Sequence, residues 1–215
     1  MKEYVLYSFI QYSKILYTGG YDKTTMNKRK IFYTFLLLIL GLTFYSHLDK
    51  VYANATPSVS YSTHVQDHGW LNYVNDGVPS GTTGQNKRVE ALSVALKNAP
   101  YSGGISYKTH VENYSWLDSV SNGAISGKPG ESKQVEAIQI SLTGEMNNYY
   151  DVYYRVHSEN YGWLDWAKNG QSAGTQGLSM RIEAIEIRLV GKGSAAPGST
   201  SRPFVSESTE LAITY

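Results

Sequence analysis

The sequence predicts an all-β domain built from three copies of one short unit, and three observations lead there. Trp70, Trp116 and Trp163 recur 46 and 47 residues apart inside segments that align without a gap. Runs of Val, Ile, Thr and Tyr alternate with polar residues, which is the two-residue period of a β-strand. An Asp-Gly or Asn-Gly pair, which favours a tight turn, lies between these runs in every copy.

Each copy runs from an alternating strand, through a Trp-Leu step and two spaced glycines, to a strand that contains a glutamate. The leading tyrosine lies 29 residues before that glutamate in all three copies. We place the repeat domain at residues 56–192, with copies at 56–99, 100–146 and 147–192. A unit with two or three strands cannot cover its own apolar face. We therefore expect one pseudo-threefold domain of the β-prism or β-trefoil type.

The second copy shows the expected strand faces most clearly. Over 105–111 the odd-numbered residues are Ile, Tyr, Thr and Val, and we expect them to face the core. Over 137–142 the even-numbered residues are Ile, Ile and Leu. The same alternation predicts that Glu90, Glu136 and Glu183 face the core. A buried carboxylate needs partners there, and we expect loop amides or a Trp N–H group.

The first 53 residues have the pattern of a leader with a signal peptide. The basic patch 27–30 precedes the apolar run 31–45, which is short for a membrane span and typical of a signal-peptide core. Val51-Tyr52-Ala53 fits a signal peptidase site, so we expect cleavage after Ala53 and no stable membrane span afterwards. Met26 directly precedes the basic patch and is a candidate for the true start. The pattern predicts a secreted or cell-surface protein of Gram-positive type.

Charge and composition exclude several classes of function. Of the 19 basic and 18 acidic residues, seven and three lie in residues 1–53, which leaves 12 basic and 15 acidic residues in 54–215. A slightly acidic body offers no basic stripe, so nucleic acid is not an expected partner. The chain has no cysteine, which excludes disulfides and thiolate metal sites.

Residues 193–215 are rich in Gly, Ser and Pro near their start and are predicted to be a flexible linker or tail.

These motifs resemble the clostridial hydrophobic repeat with its characteristic tryptophan, the ChW repeat. The resemblance rests on the Trp-Leu-Asp type step, the spaced glycines and the Val/Ile-Glu-Ala-Ile/Leu strand, and covers about residues 59–191. It implies an extracellular protein whose repeats bind polysaccharides or surface partners. Asn72, Ser115 and Ser158 stand where the family has Asp, Gly and an apolar residue. The three sites are therefore not expected to be equivalent.

The tryptophans are the strongest candidates for a binding site. Exposed indoles stack on sugar rings, and on a strand the polar residue two positions later would share their face. The candidate pairs are Trp70 with Asn72, Trp116 with Asp118, and Trp163 with Asp165. The alternative, which we weigh as the stronger, is that each Trp anchors the core of its repeat. Trp166 occurs in the third copy alone, so we expect it to be exposed; with Tyr161 it would make the third repeat the strongest glycan site.

His64, His110 and His157 fall on the polar face of the first strand of each copy. We expect them to line a binding groove or to hydrogen-bond backbone carbonyls. Three imidazoles related by threefold symmetry could hold a zinc ion, but no second ligand per repeat is evident, so we predict no metal and no cofactor.

Signatures of catalysis are missing from the sequence, which has no nucleophile elbow, zinc-protease motif or phosphate-binding loop. Every charged candidate recurs three times, whereas a general acid and a general base must differ. We therefore predict a non-catalytic module that binds polysaccharide or cell-surface glycans. The alternative is a protein–protein adhesion or assembly module of an extracellular complex, which could also target a separate hydrolase.

Overall fold

The computed structural model describes residues 56–208. The predicted leader, its cleavage after Ala53 and the candidate start at Met26 lie outside the described residues, as does the end of the tail. Within residues 56–208 no helix is long and apolar enough to cross a membrane.

Each repeat folds into two long strands with three short strands between them. The strands of the first repeat are β1 (Ser58–Val65), β2 (Gly69–Trp70), β3 (Val74–Asn75), β4 (Ser80–Gly81) and β5 (Val89–Lys97). Those of the second are β6 (Gly104–Val111), β7 (Ser115–Trp116), β8 (Val120–Ser121), β9 (Ser126–Gly127) and β10 (Val135–Thr143). Helix α1 (Met146–Tyr149) precedes β11 (Tyr150–Ser158), β12 (Gly162–Trp163), β13 (Ala167–Lys168), β14 (Ala173–Gln176) and β15 (Ile182–Gly191) of the third, and β16 (Phe204–Ser206) follows in the tail. The all-β prediction is thus confirmed.

The three repeats exchange short strands in a cycle. Each long pair (β1–β5, β6–β10, β11–β15) forms the centre of one antiparallel sheet. Strand β4 of the first repeat joins the sheet of the third, β9 of the second joins that of the first, and β14 of the third joins that of the second. Every sheet therefore needs a neighbouring repeat to complete it. The β-prism or β-trefoil arrangement stays a prediction.

A glycine makes each of these exchanges possible. Gly127 on β9 pairs with Ala91 on β5, and a Cβ at Gly127 would lie 2.4 Å from the carbonyl oxygen of Glu90. Its φ of +126° also lies in a region that residues with a Cβ rarely adopt. Gly81 and Gly174 make the same close approach to the other two sheets. The first of the two spaced glycines is therefore where the repeats join.

The core has the predicted strand faces and is shared between repeats. The Ile, Tyr, Thr and Val side chains over 105–111 are buried, as are the Ile and Leu side chains over 137–142. The leading tyrosines are buried too, and their hydroxyls link repeats. The Tyr61 hydroxyl donates to Val78 O (2.6 Å) and accepts from Ile187 N (3.0 Å) in the third repeat. Tyr107 likewise accepts a hydrogen bond from Val94 N in the first repeat.

The beginning of the tail differs from the flexible linker that its composition suggests. Strand β16 adds in parallel to the free edge of β14, and Val205 is buried in the core. Pro203 O accepts a hydrogen bond from Gly174 N at 3.0 Å. The composition favours a flexible linker, but backbone hydrogen bonds to the edge of the sheet hold this part of the tail in place.

Candidate functional site

The tryptophan and the histidine of each repeat form one side-chain pair. They face each other across the first two strands: His64 with Trp70, His110 with Trp116, and His157 with Trp163. The rings meet edge to face with centroids 5.5–5.6 Å apart, an arrangement that aromatic quadrupoles favour. The predicted histidine and tryptophan trios are therefore three copies of one constellation.

A buried glutamate completes each constellation. The exposed fractions of Glu90, Glu136 and Glu183 are 3–4%. Each has an Oε2 oxygen 3.1–3.2 Å from Nδ1 of the histidine in its repeat. The distances suit an ion pair in all three, but the geometry of a hydrogen bond is met by His110 and Glu136 alone among these pairs. The sequence did not reveal this pairing, because the partners lie 26 residues apart.

Other groups also bind the carboxylate oxygens of these glutamates. Arg88 binds Oε1 of Glu90 at 2.7 Å, and the amide of Gly130 in the second repeat donates to Oε2 at 2.9 Å. That amide belongs to a glycine-rich loop, where a partner was expected. In the other repeats, Gln134 and Arg181 take the place of Arg88.

The glutamates do not face the core, so that prediction was wrong. A β-bulge interrupts each long pair at the glutamate: Val135 is opposite Val111 and Ala137 is opposite His110, which leaves Glu136 as the extra residue. Val135 and Ile138 can then both enter the core although they are three residues apart. Strict alternation cannot anticipate this reversal.

The tryptophans lie outside the buried core, which counts against the interpretation that each anchors the core of its repeat. Trp70 is 40% exposed, and Trp116 and Trp163 are half-buried. The expected partners two residues later do not share a strand face with them, since β2, β7 and β12 end at the tryptophan. Asn72 and Asp118 point into solvent, and Asp165 contacts the tail instead.

A groove of about 290 Å³ opens beside Trp70, where the first repeat meets Gly123 and Ile125 of the second. Its lining residues are Ser62, Trp70, Leu71, Tyr73, Ser93, Gly123 and Ile125. Tyr73 is 57% exposed, and its hydroxyl lies 2.8 Å from Ser93 Oγ, which donates to Gly123 O at 2.8 Å. The groove thus combines two exposed aromatic rings with the Tyr73 hydroxyl, and the two small serines beneath them are buried.

The size of one cross-strand pair sets the access to this groove. Ser62 and Ser93 are directly opposite in the first repeat, and the equivalent pairs are Lys108 with Gln139 and Arg155 with Glu186. In the second repeat the Lys108 ammonium lies over the Trp116 ring, 5.1 Å from its centre. The long side chains occupy space that the two serines leave open.

The third repeat is filled most completely. The Arg155 guanidinium lies 4.8 Å from the ring centres of both Trp163 and Trp166 and pairs with Glu186 at 2.7 Å. Trp166 is 4% exposed, and Gly198 of the tail approaches its indole. The expectation that Trp166 is exposed, and with it the basis for a strong third glycan site, was wrong.

Tyr161 is also less available than expected. It packs against the core, and the Arg202 guanidinium lies over its ring, 5.2 Å from the centre. The pattern shared by the repeats does not reveal Ser62, Tyr73 and Ser93, because the three copies differ at these positions. The groove is visible in the sequence only where the copies differ, at the residue after the leading tyrosine and three residues after the glutamate.

The described part of the chain, residues 56–208, holds no group of three or more His, Asp or Glu side chains that could bind a metal ion. The glutamate and histidine of each repeat are held by neighbouring side chains and partly covered by tryptophan. This arrangement orients the indole and fixes the β-bulge.

The comparisons with known proteins agree with the repeat structure. The family model described as Clostridial hydrophobic W matches residues 64–98, 110–144 and 157–191. Each match begins at the histidine and ends at the last residue of the second long strand or one residue after it. No curated protein and no solved structure matches the chain significantly. The chain carries three tandem repeats of the Clostridial hydrophobic W family.

Proposed function

We propose that the protein is an exported, non-catalytic module that binds polysaccharide at the cell surface through the groove of its first repeat. The observation that carries the proposal is the pair of exposed rings, Trp70 and Tyr73, that line a groove kept open by the small side chains of Ser62 and Ser93. Sugar rings have apolar C–H faces that stack on aromatic rings, and their hydroxyls need acceptors. The Tyr73 hydroxyl, on a side chain that is 57% exposed, has a lone pair left for that purpose.

The groove favours a linear, neutral glycan chain. Its volume of about 290 Å³ is small for a branched ligand, and none of its lining residues carries a charge. Leu71 and Ile125 add apolar contact at its two sides. Export rests on the leader pattern in residues 1–53 and stays part of the proposal.

The test is retention of the mature chain, residues 54–215, on cellulose, chitin, starch, xylan and purified Gram-positive cell walls. We expect at least one of these polysaccharides to retain it, and Trp70→Ala to weaken binding by about tenfold or more. Stacking on an aromatic ring contributes about 1–3 kcal/mol by analogy with nucleic-acid bases, and 1.4 kcal/mol is a factor of ten.

The matched control is Trp116→Ala, which removes the same position from the second repeat, where Lys108 covers the ring. It should leave retention unchanged. Equal losses in both variants, or no loss in Trp70→Ala, would contradict binding at the first groove.

A second candidate function, a protein-binding assembly module, has one observation in its favour. The tail adds a strand to the edge of a sheet, which is how many domains capture extended peptides. The two functions use different repeats and do not exclude each other.

A further inference from the structure

The tail shows how a repeat holds an extended peptide. In the third repeat the amides of Asp165 and Trp166 donate to Arg202 O (3.2 Å) and Ser199 O (2.9 Å). The Asp165 carboxylate accepts hydrogen bonds from the backbone N–H of Arg202 and from the Ser199 hydroxyl, both at 2.8 Å. Beyond Arg202 the tail continues as β16 beside β14. One carboxylate and one strand edge therefore hold the backbone of the tail.

The second repeat repeats this docking site. Asp118 is equivalent to Asp165, and Tyr114 is equivalent to Tyr161, over which Arg202 lies. The loops have the same conformation, because Leu117 N donates to Thr109 O at 2.9 Å just as Leu164 N donates to Val156 O at 3.0 Å. Strand β9 corresponds to β14, and Gly127 (φ +126°) to Gly174 (φ +119°).

This second site is free within the described residues. Strand β9 ends its sheet, with no strand beside it in the part of the chain that the structure describes. Asp118 is exposed and makes no hydrogen bond or ion pair with residues 56–208. Tyr114 is 45% exposed. The first repeat lacks both groups, because it has His68 and Asn72 at these positions.

We propose that the second repeat binds an extended peptide segment of another polypeptide, parallel to β9, with Asp118 as the anchoring carboxylate. The backbone N–H and a nearby Ser or Thr hydroxyl of the peptide donate to Asp118. Its carbonyls accept from the amides of Asp118, Ser119 and Gly127. The charged hydrogen bonds fix the register, and the strand edge supplies further backbone contacts at Gly127, since Pro129, in place of Gln176, has no N–H to donate.

One difference between the two sites defines the ligand further. The Lys128 ammonium lies over the Tyr114 ring, 4.6 Å from its centre, as the Arg202 guanidinium of the tail lies over Tyr161. The second repeat thus supplies its own cation over the tyrosine. A ligand of this site needs no basic residue there, whereas the hydroxyl and the free backbone N–H stay necessary.

The test uses a fluorescein-labelled peptide of residues 197–208, PGSTSRPFVSES, added to the chain of residues 54–215 and followed by fluorescence anisotropy. The third repeat keeps its own tail at a high effective concentration, so the peptide should occupy the second repeat. We expect saturable binding that Asp118→Asn weakens by tenfold or more, because the negative charge that strengthens both hydrogen bonds is lost. Asp67→Asn, an exposed carboxylate in the first repeat, is the control and should bind normally.

Amide chemical shifts locate the peptide independently. The proposal predicts changes at residues 115–119 and 126–128. Absence of binding, normal binding by a folded Asp118→Asn variant, or changes confined to residues 163–166 and 173–175 would each overturn it. The last result would mean that the peptide only displaces the tail.

Discussion

Arg155 and Glu186 face each other across β11 and β15, with Nη2 and Oε2 2.7 Å apart, at the position where β1 and β5 carry Ser62 and Ser93. The backbone register is the same in both sheets, and so is the histidine–tryptophan pair beside it. One cross-strand pair thus distinguishes an open groove from a filled one. The repeats share a scaffold and differ in what they leave accessible.

The strand exchange predicts that the three repeats fold as one cooperative unit. Gly127→Ala should destabilise the whole domain by about 3 kcal/mol or more, because the new Cβ meets backbone atoms at 2.4–2.5 Å and φ is +126°. Gly84→Ala is the control: its Cβ meets no atom within 4 Å, so a cost of about 1–2 kcal/mol is expected from φ alone. Chemical denaturation measures both.

The cooperative model also predicts a single melting transition for residues 54–192. The isolated second repeat, residues 100–146, should be unfolded, because β9 leaves it and β14 no longer completes its sheet. A well-folded fragment of 100–146 would contradict the exchange.

Trp166 is predicted to stabilise the fold and not to bind a ligand. Trp166→Ala should cost about 3–5 kcal/mol, because it removes a buried indole that two guanidinium groups and the tail contact. It should also release the tail, which fluorescence of a label at Ser208 would report. Trp70→Ala, on the exposed side of the first repeat, should leave the melting temperature nearly unchanged.

The sequence predicted the repeats, the strand faces and the all-β class, because all three follow from periodicity. It failed at the glutamates, since a β-bulge adds one residue and turns Glu136 away from the face that alternation assigns. It failed at Trp166 because burial there depends on a tail that returns to the third repeat. The groove is open because the side chains of Ser62 and Ser93 are small. This difference is hard to see in three copies that are otherwise similar.

Asp76 is a half-buried carboxyl at a position where the other two repeats have an amide side chain. Burial raises the pKa of Asp76, although the amides of Leu189 and Val59 act in the opposite direction. The other repeats have Asn122 and Asn169 at this position, and both accept a first-strand amide through the side-chain oxygen.

Asp76→Asn is therefore predicted to raise the melting temperature by a few degrees at pH 7. Because the pKa of Asp76 is higher in the native state than in the unfolded chain, the protonated side chain stabilises the fold. That stabilisation is complete below the pKa of the unfolded chain and is lost as the pH rises through the native pKa. The gain should disappear near pH 3, where the wild-type carboxyl is protonated. Melting curves from pH 3 to pH 7 measure this, and an equal gain at both ends would contradict the assignment to ionisation.

The most direct test of the central claim fills the first groove with the side chains of the third repeat. The measurement is the binding isotherm of Ser62→Arg/Ser93→Glu on the polysaccharide that retains the wild-type chain, with Lys108→Ser in the second repeat as control. The open-groove account predicts that the double variant loses at least tenfold in affinity with its fold intact, while Lys108→Ser keeps full affinity or gains some. Wild-type affinity in the double variant would contradict the account.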